Sequence, residues 1–385
     1  MKTVYLDYNA TSPLDERVAA VVRAAETTAF ANPSSIHRAG QQARHAVENA
    51  RETLAGLLSG KPSDILFTSG GTESNNLALA GALRARAAEG RRHLVVSRIE
   101  HPSVLGAARE LEKEGFKLTW LDVTPEGRVL PETAAAAVRP DTALVSVIHA
   151  NNETGAIQPI EAIARIAHSA GAWMHSDAVQ SFGKIPFKPA EAGLDLVSLS
   201  AHKICGPKGA GALWCRSGIK LKAVLHGGHQ EKNIRPGTEN TAAIAGFAEA
   251  ARIACAELAA EAPRLRGLRD RLRSGLEREV GGITVNGTEP LLSHTLNASL
   301  AGIDGVAFVM NLDLEGIAVS TGSACTSGSV DPSHVLVAMG LDAERAKGAV
   351  RFSIGRFTTV GDIDLCVAAA VRIAARLRKS HVSLN

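Results

Sequence analysis

Aromatic residues are scarce: three Trp, two Tyr and nine Phe make up 4% of 385 residues. A surface for single-stranded nucleic acid needs aromatic platforms on which bases stack, and a surface for duplexes needs a basic stripe that tracks the phosphates. The second is missing as well. Lys and Arg number 42 against 39 Asp and Glu, a net charge of +3, and no segment carries a block of one sign, so nucleic acid is not an expected partner. No apolar run approaches the roughly 18 residues of a membrane span. The opening "MKTVYLDYNATSP" has Asp7 and Asn9 where a signal peptide needs its apolar stretch. The expectation is a cytoplasmic protein with no membrane partner. The five cysteines (Cys205, Cys215, Cys255, Cys325 and Cys366) are odd in number and form no CxxC pair. That speaks against a disulfide framework and against a zinc site, and at least one thiol is free. Internal repeats, low-complexity linkers, GxGxxG and GxxxxGK[ST] are also missing, so a dinucleotide or nucleoside triphosphate is not favoured.

What is present is an apolar fraction of 45% in a chain long for one core, which predicts two domains within one unit. From Pro62 to Cys215, short runs rich in Val, Ile and Leu alternate with Ala-rich helical stretches. "DILFTS", "RHLVVS", "FKLTWLDV", "TALVSVIHA", "AWMHSDA", "LDLVSLS" and "GALWCR" read as seven strands of a mostly parallel sheet covered by helices, an α/β architecture. Thr238 to Val280 reads as a long helix, broken or kinked at Pro263. Beyond it, "ITVNG", "HTLNASLAG", "IAVST" and "AVRFSIG" predict a smaller α+β domain. The expected division is a large domain over 16–260 and a small one formed by 1–15 with 261–385. Asp331-Pro332 predicts a helix start, and Thr359 with Asp362 has the spacing of a capping box for a last helix to about Lys379.

Ligands of open α/β sheets bind outside the carboxyl ends of the strands. After "DILFTS" comes "GGTESNN", whose bare N–H groups at a helix start would hold an anion such as a phosphate. The other strands are followed by Glu100-His101, by "NNETG", by Asp177 and Gln180, and by His202-Lys203. Taken singly, each has a plainer reading: a core histidine, a helix cap, a solvated lysine. Together, a phosphate cradle, an acid, a flat imidazole and a lysine suit pyridoxal phosphate, which needs an amine for an imine, a carboxylate at its ring nitrogen and donors for its phosphate. Cys325 stands apart in "STGSACTSGSVDPSH", a loop of serines and glycines that offers it nothing to pack against. The His226…His229 pair lacks further ligands for a metal.

At "SLSAHKICGPKGAGALW" the chain resembles the cysteine desulfurases, in the branch of NifS and IscS, members of the class V aminotransferase group of fold-type I pyridoxal-phosphate enzymes. The similarity runs through "YLDYNAT", "ANPSSIH", "FTSGGTESNN", "EHPSV", "HANNETG", "HSDAVQSFGK", "GGHQEKNIRPGTEN", "STGSACTSG" and "VRFSIGRFTT", nearly the whole chain. The resemblance implies the aspartate aminotransferase-like fold. It implies that Lys203 forms the imine with pyridoxal phosphate, Asp177 pairs with the ring nitrogen, Gln180 bonds the ring hydroxyl and His101 stacks on the ring. Gly71, Thr72, Ser200 and His202 would hold the phosphate, joined by Thr238 of a neighbouring subunit in a homodimer. Arg351 with Asn152 would bind the substrate carboxylate.

The activity implied is conversion of L-cysteine to L-alanine with sulfur captured on Cys325 as a persulfide, for delivery to an iron–sulfur scaffold or another acceptor protein. Lys203 and His101 would be the acid–base groups. No metal is expected in the free enzyme, although Cys325 would be placed to ligate an iron–sulfur cluster during transfer. Alternatives within the same frame are a selenocysteine lyase or another class V enzyme, and outside it a sulfur-relay protein without catalysis. Departures from the family pattern are Ala31, Ser12 and Thr321 in place of a common glycine, threonine and serine.

Overall fold

Seven apolar segments, Ile65–Thr68, His93–Ser97, Lys117–Leu121, Thr142–Ser146, Trp173–Asp177, Leu196–Ser200 and Gly211–Cys215, pair into one sheet in this computed structural model, which describes residues 3–321 and 332–382, with side chains to residue 379. Four of them, Ile65–Thr68, His93–Ser97, Thr142–Ser146 and Leu196–Ser200, are buried at every position. They carry continuous apolar runs because helices cover both faces. Across the sheet the order is Ile65–Thr68, Gly211–Cys215, Leu196–Ser200, Trp173–Asp177, Thr142–Ser146, His93–Ser97, Lys117–Leu121. Only Gly211–Cys215 runs against its neighbours; the other pairings in this series are parallel. The carboxyl ends of the remaining six strands therefore share one edge, and the polar segments singled out in the sequence follow five of them.

One face of the sheet packs on Leu54, Ile163 and Phe247, the other on Leu79, Leu83, Val104 and Leu111. A further apolar cluster joins Leu268, Leu272 and Leu276 to Phe308, Phe352 and Ile373, and takes in Val4 and Leu6 from the start of the chain. There, Thr295–Leu300 pairs antiparallel with Ala349–Ser353 and with Ile283–Val285, and Val4–Tyr5 lies parallel to Ile317–Ala318.

The expected break at Pro263 and the expected helix start at Asp331-Pro332 are corrected. The long helix spans Thr241–Glu279 without a break at Pro263. A proline inside a helix costs about 3 kcal/mol, but residues before it are buried in the sheet's core and Leu268, Leu272 and Leu276 in the second cluster. Burying each such leucine contributes about 1.5–3 kcal/mol, which outweighs the defect. The helix expected at Asp331-Pro332 starts instead at His334, with Ser333 as its cap; Oγ accepts from the N–H groups of Val335 and Leu336. Ser333 takes this place because its hydroxyl is also held by a buried carboxyl group, Glu153 Oε2, at 2.5 Å. The last helix, Val360–Val382, has the expected box: Thr359 N donates to Asp362 Oδ2 at 2.9 Å and Asp362 N to Thr359 Oγ1 at 3.2 Å. Among the described residues no helix is long and apolar enough to cross a membrane.

Candidate active site

The Ile65–Thr68 strand turns into the Gly71–Arg86 helix through Gly70, whose φ of 155° is one that L side chains rarely adopt. A Cβ on Gly71 would stand 2.8 Å from Val179 Cγ2, so only glycine lets the helix start approach the loop that follows Asp177. First-turn N–H groups have no partner within a helix and favour an anion. Ser200, at the end of its strand one place further along the sheet beyond Gly211–Cys215, brings a buried Oγ without a partner among the described residues. That hydroxyl lies 3.9 Å from where a Cβ on Gly70 would be. Thr72 is exposed on the same first turn. The Glu73 carboxylate beside it is taken up by Arg235 at 2.7 Å and by Ser69 N–H at 2.7 Å. The cradle thus offers donors to a phosphate, with its nearby acid already paired.

Asp177 ends its strand buried. One carboxylate oxygen accepts from Val179 N at 2.9 Å and the other from Asn75 Nδ2 at 2.7 Å. Asn75 Nδ2 also donates to Ser103 Oγ at 2.9 Å, and Ser103 Oγ meets His101 Nδ1 at 2.8 Å. An amide N–H only donates, and Ser103 N–H points at Nδ1 too, at 3.2 Å. The hydroxyl therefore donates to Nδ1, and the neutral ring carries its proton on Nε2. Burial holds His101 below the usual imidazole range; the Asp177 carboxylate opposes this, while Lys203 and His334 add to it. His101 is also the N-cap of Pro102–Lys113. Its predecessor Glu100 is an interior acid, pushed up to about 8 chiefly by burial.

Lys203 follows the Leu196–Ser200 strand in a single 3-10 turn. Its Nζ donates to the carbonyls of Asn9 at 2.5 Å and Ala10 at 2.8 Å. Asn9 O also accepts from Gln180 Nε2 at 2.9 Å, so Lys203 and Gln180 meet on one atom of the N-terminal segment. His202 Nδ1 lies 3.1 Å from Thr11 Oγ1, and burial, with Lys203 next, lowers this histidine to about 4. Ser12, a departure from the family pattern, donates to His202 O at 2.6 Å and accepts from Cys205 N at 2.7 Å.

Arg351 lies buried in the Ala349–Ser353 strand. It bonds Asp7 Oδ1 at 2.8 Å and the backbone oxygen of Asn152 at 3.1 Å, and its Nε is buried without a partner among the described residues. Asn9 Nδ2 donates to that same Asn152 oxygen at 3.0 Å. Glu153, raised to about 7 by burial, accepts from Ser333, while His334 Nε2 donates to Glu100 O at 2.9 Å. Thr238 is exposed just ahead of the long helix.

Cys325 lies outside the described residues. The other four thiols are all raised by burial: Cys205 and Cys255 above the usual range, Cys215 and Cys366 to about 12. Cys205 packs inside, as a small filler would. His229 Nδ1 meets Asn233 Oδ1 at 2.6 Å, and no group of three His, Cys, Asp or Glu among the described residues is placed to hold a metal. Sequence reasoning missed Asn9, Asn75, Ser103 and Asp7. Asn9 and Asn75 lie within "YLDYNAT" and "GGTESNN", and their position beside strand-end glycine and aspartate segments was the one available signal.

The residues fit pyridoxal phosphate. The partnerless Ser200 hydroxyl beside a glycine turn suits its phosphate, the buried Asp177 suits its ring nitrogen, and Lys203 lies close by. The Aminotransferase class-V family profile matches residues 4–366. "Cysteine desulfurase IscS" of Dictyoglomus turgidum is 44% identical over 378 residues, covering 98% of this chain and 96% of the relative. Its namesake from an Anaeromyxobacter species is 46% identical over 383 residues, covering 98% and 93%. A solved NifS-like protein superimposes with a TM-score of 0.92 at 36% identity, over 97% of this chain and 100% of that one. With the family profile spanning almost its whole length and relatives this close, the chain belongs to the class-V aminotransferase family, among the IscS and NifS cysteine desulfurases.

Proposed function

We infer that the shared carboxyl edge of the sheet is the active site of a pyridoxal-phosphate-dependent cysteine desulfurase, which converts L-cysteine to L-alanine and captures the sulfur on Cys325 as a persulfide. The observation that carries this reading is the joining of Asp177 to His101 through Asn75 and Ser103, on the edge from which Lys203 also projects. Pyridoxal phosphate, when bound, supplies an electron sink for the substrate's Cα. Gly71, Thr72, Ser200 and His202 hold its phosphate, Gln180 donates to its ring hydroxyl, and Asp177, with both oxygens already oriented, keeps the ring nitrogen protonated. Arg351, steered by Asp7, grips the substrate carboxylate together with Asn152.

Lys203 takes the Cα proton as a neutral amine. The Cys325 thiolate then attacks the substrate sulfur: an S–S bond forms, the C–S bond breaks with its electron pair left on the substrate side, and two protons, the one taken from Cα and the one given up by the Cys325 thiol, are returned by Lys203 and His101 to Cα and Cβ to give alanine. Support for Cys325 as acceptor comes from the other thiols, Cys205 and Cys366 buried and Cys215 and Cys255 half-buried, all of them raised by burial and so held protonated.

The same reading makes the protein a cytoplasmic homodimer, in which Thr238 completes the phosphate cradle of the second copy. Residues 16–260 form the cofactor domain, and 1–15 with 261–385 the smaller one. The persulfide is passed to an iron–sulfur scaffold or another sulfur-accepting protein. The test is Cys325→Ala, which is expected to keep the cofactor's visible band and lose persulfide formation. Undiminished multiple-turnover alanine production by this variant sinks the assignment, and a strong preference for selenocysteine over cysteine redirects it to a selenocysteine lyase.

A further inference from the structure

Four residues beyond Gln180, the side chain of Lys184 turns back and its Nζ donates to Gln180 Oε1 at 2.9 Å. Gln180 Nε2 donates at the same time to Asn9 O at 2.9 Å. A backbone carbonyl only accepts, so Asn9 O alone determines which end of the amide is nitrogen. Lys184 engages the oxygen end. Among the described residues Gln180 is thereby left with one uncommitted N–H, while its oxygen end is already turned to Lys184, beside the carbonyl to which Lys203 Nζ also donates at 2.5 Å.

We propose that Lys184 is a positioning residue that fixes the orientation of the Gln180 amide beside Lys203, so that Gln180 presents its N–H to the ring hydroxyl oxygen of pyridoxal phosphate. This rests on the roles of Lys203 and Gln180 given above.

The surroundings support a built arrangement. Lys184 and Lys203 line one cavity of about 70 Å³ together with Tyr8, His294, Glu261 and Arg356. Burial, then the charge of Lys203, lowers the Lys184 amine to about 7; Cys205 opposes this and Arg351 adds to it. A lysine amine donates in either charge state, so the lock on Gln180 survives its titration. His294, also on the cavity, is bonded through Nε2 to Asn9 Oδ1 at 3.0 Å, which holds the Asn9 segment from its other side.

The experiment is a double-mutant cycle on the holoenzyme with Lys184→Met, Gln180→Ala, the double variant, and Lys184→Arg as the conservative change. Two quantities are read apart from turnover: the dissociation constant for pyridoxal phosphate by equilibrium dialysis, and the pH midpoint of the bound cofactor's visible band. Lys184→Met is expected to weaken cofactor binding by about five- to tenfold, the net scale of one ordinary hydrogen bond. The band midpoint is expected to rise by roughly half a unit or more, because a donor to the ring oxygen is loosened and a neighbouring cation removed. Lys184→Arg should recover part of both. In the Gln180→Ala background, Lys184→Met should weaken binding no further.

Unchanged binding and midpoint in Lys184→Met overturn the proposal, and so does an undiminished effect in the Gln180→Ala background. If Lys184→Met does not accumulate as folded protein, Lys184→Gln completes the same cycle with the same two outcomes. Lys203→Ala run in parallel separates the failures. A retained band there overturns the reading of the site itself, whereas a lost band with an unaffected Lys184→Met overturns this inference alone.

Discussion

The sheet interior buries histidines and its carboxyl edge half-buries them, and the two regions use them differently. His93 is bonded at both ring nitrogens, to Thr142 Oγ1 at 2.9 Å and Thr119 Oγ1 at 2.8 Å. His175 likewise bridges Ser146 Oγ at 2.8 Å and Ser198 Oγ at 3.1 Å. At the edge, His101 and His202 are bonded among the described residues only through Nδ1. All four are lowered first of all by burial, His93 and His202 to about 4 and His175 to about 3. The shift in basicity therefore does not tell the two regions apart; the second nitrogen does. Inside the sheet, hydroxyls on adjacent strands stand at fixed spacing on either side of a ring and satisfy it. Past the strand ends the chains diverge, and one nitrogen is left for a ligand.

The sharpest way to break this contrast is to remove one histidine of each kind. His101→Ala is expected to lower turnover by about 10²–10⁴-fold, the range of a lost acid–base group, with a stability loss of only about 1 kcal/mol for the helix cap it removes. His175→Ala is expected to do the reverse: a loss of about 2–4 kcal/mol in denaturant titration, since two buried hydroxyls lose their partner, with turnover of the folded protein largely kept. Equal destabilisation by the two variants would erase the distinction.

Next in size is the response to acid. The folded pKa values of His93, His149, His175, His202 and His294 are lowered, so below about 6.5 the unfolded chain binds more protons and stability falls as pH drops toward 4. Glu100 and Glu153 act oppositely, because their folded pKa values are raised, but the histidines outnumber them. Denaturant midpoints that stay level between pH 6.5 and pH 4.5 (roughly the interval between the unfolded histidine and carboxyl values) would contradict this.

The smallest effect isolates Glu100. With its carboxyl raised to about 8, the stability it contributes is present at low pH and is lost as pH rises toward that value. Glu100→Gln should remove this decline, amounting to at most about 1.4 kcal/mol per pH unit, which melts at paired pH values would detect.

Much of this was legible beforehand. Strands buried on both faces are written as unbroken apolar runs, and the rule that ligands gather at carboxyl ends drew attention to His101, Asp177, Gln180 and Lys203. The intervening residues were not legible. Asn9 bonds Thr295, 286 positions away, and Arg351 pairs with Asp7 across 344. No local pattern encodes such meetings. Pro263 misled because a local rule for helices ignores the two cores that hold the helix on either side, and Asp331-Pro332 misled because the buried Glu153 favours Ser333 as the cap.

By itself, then, the order of residues determined the α/β class, the strands and the polar segments at their ends, because burial on both faces and helix starts leave marks within a few neighbouring positions. Tertiary structure alone decided which ring nitrogen His101 keeps free, that Asn75 ties Asp177 to Ser103, and that Lys184 reaches Gln180 beside the carbonyl on which Lys203 rests. Those outcomes depend on donors and acceptors brought together from distant parts of the chain, and a hydrogen bond forms only where folding has placed both of its ends within about 3 Å.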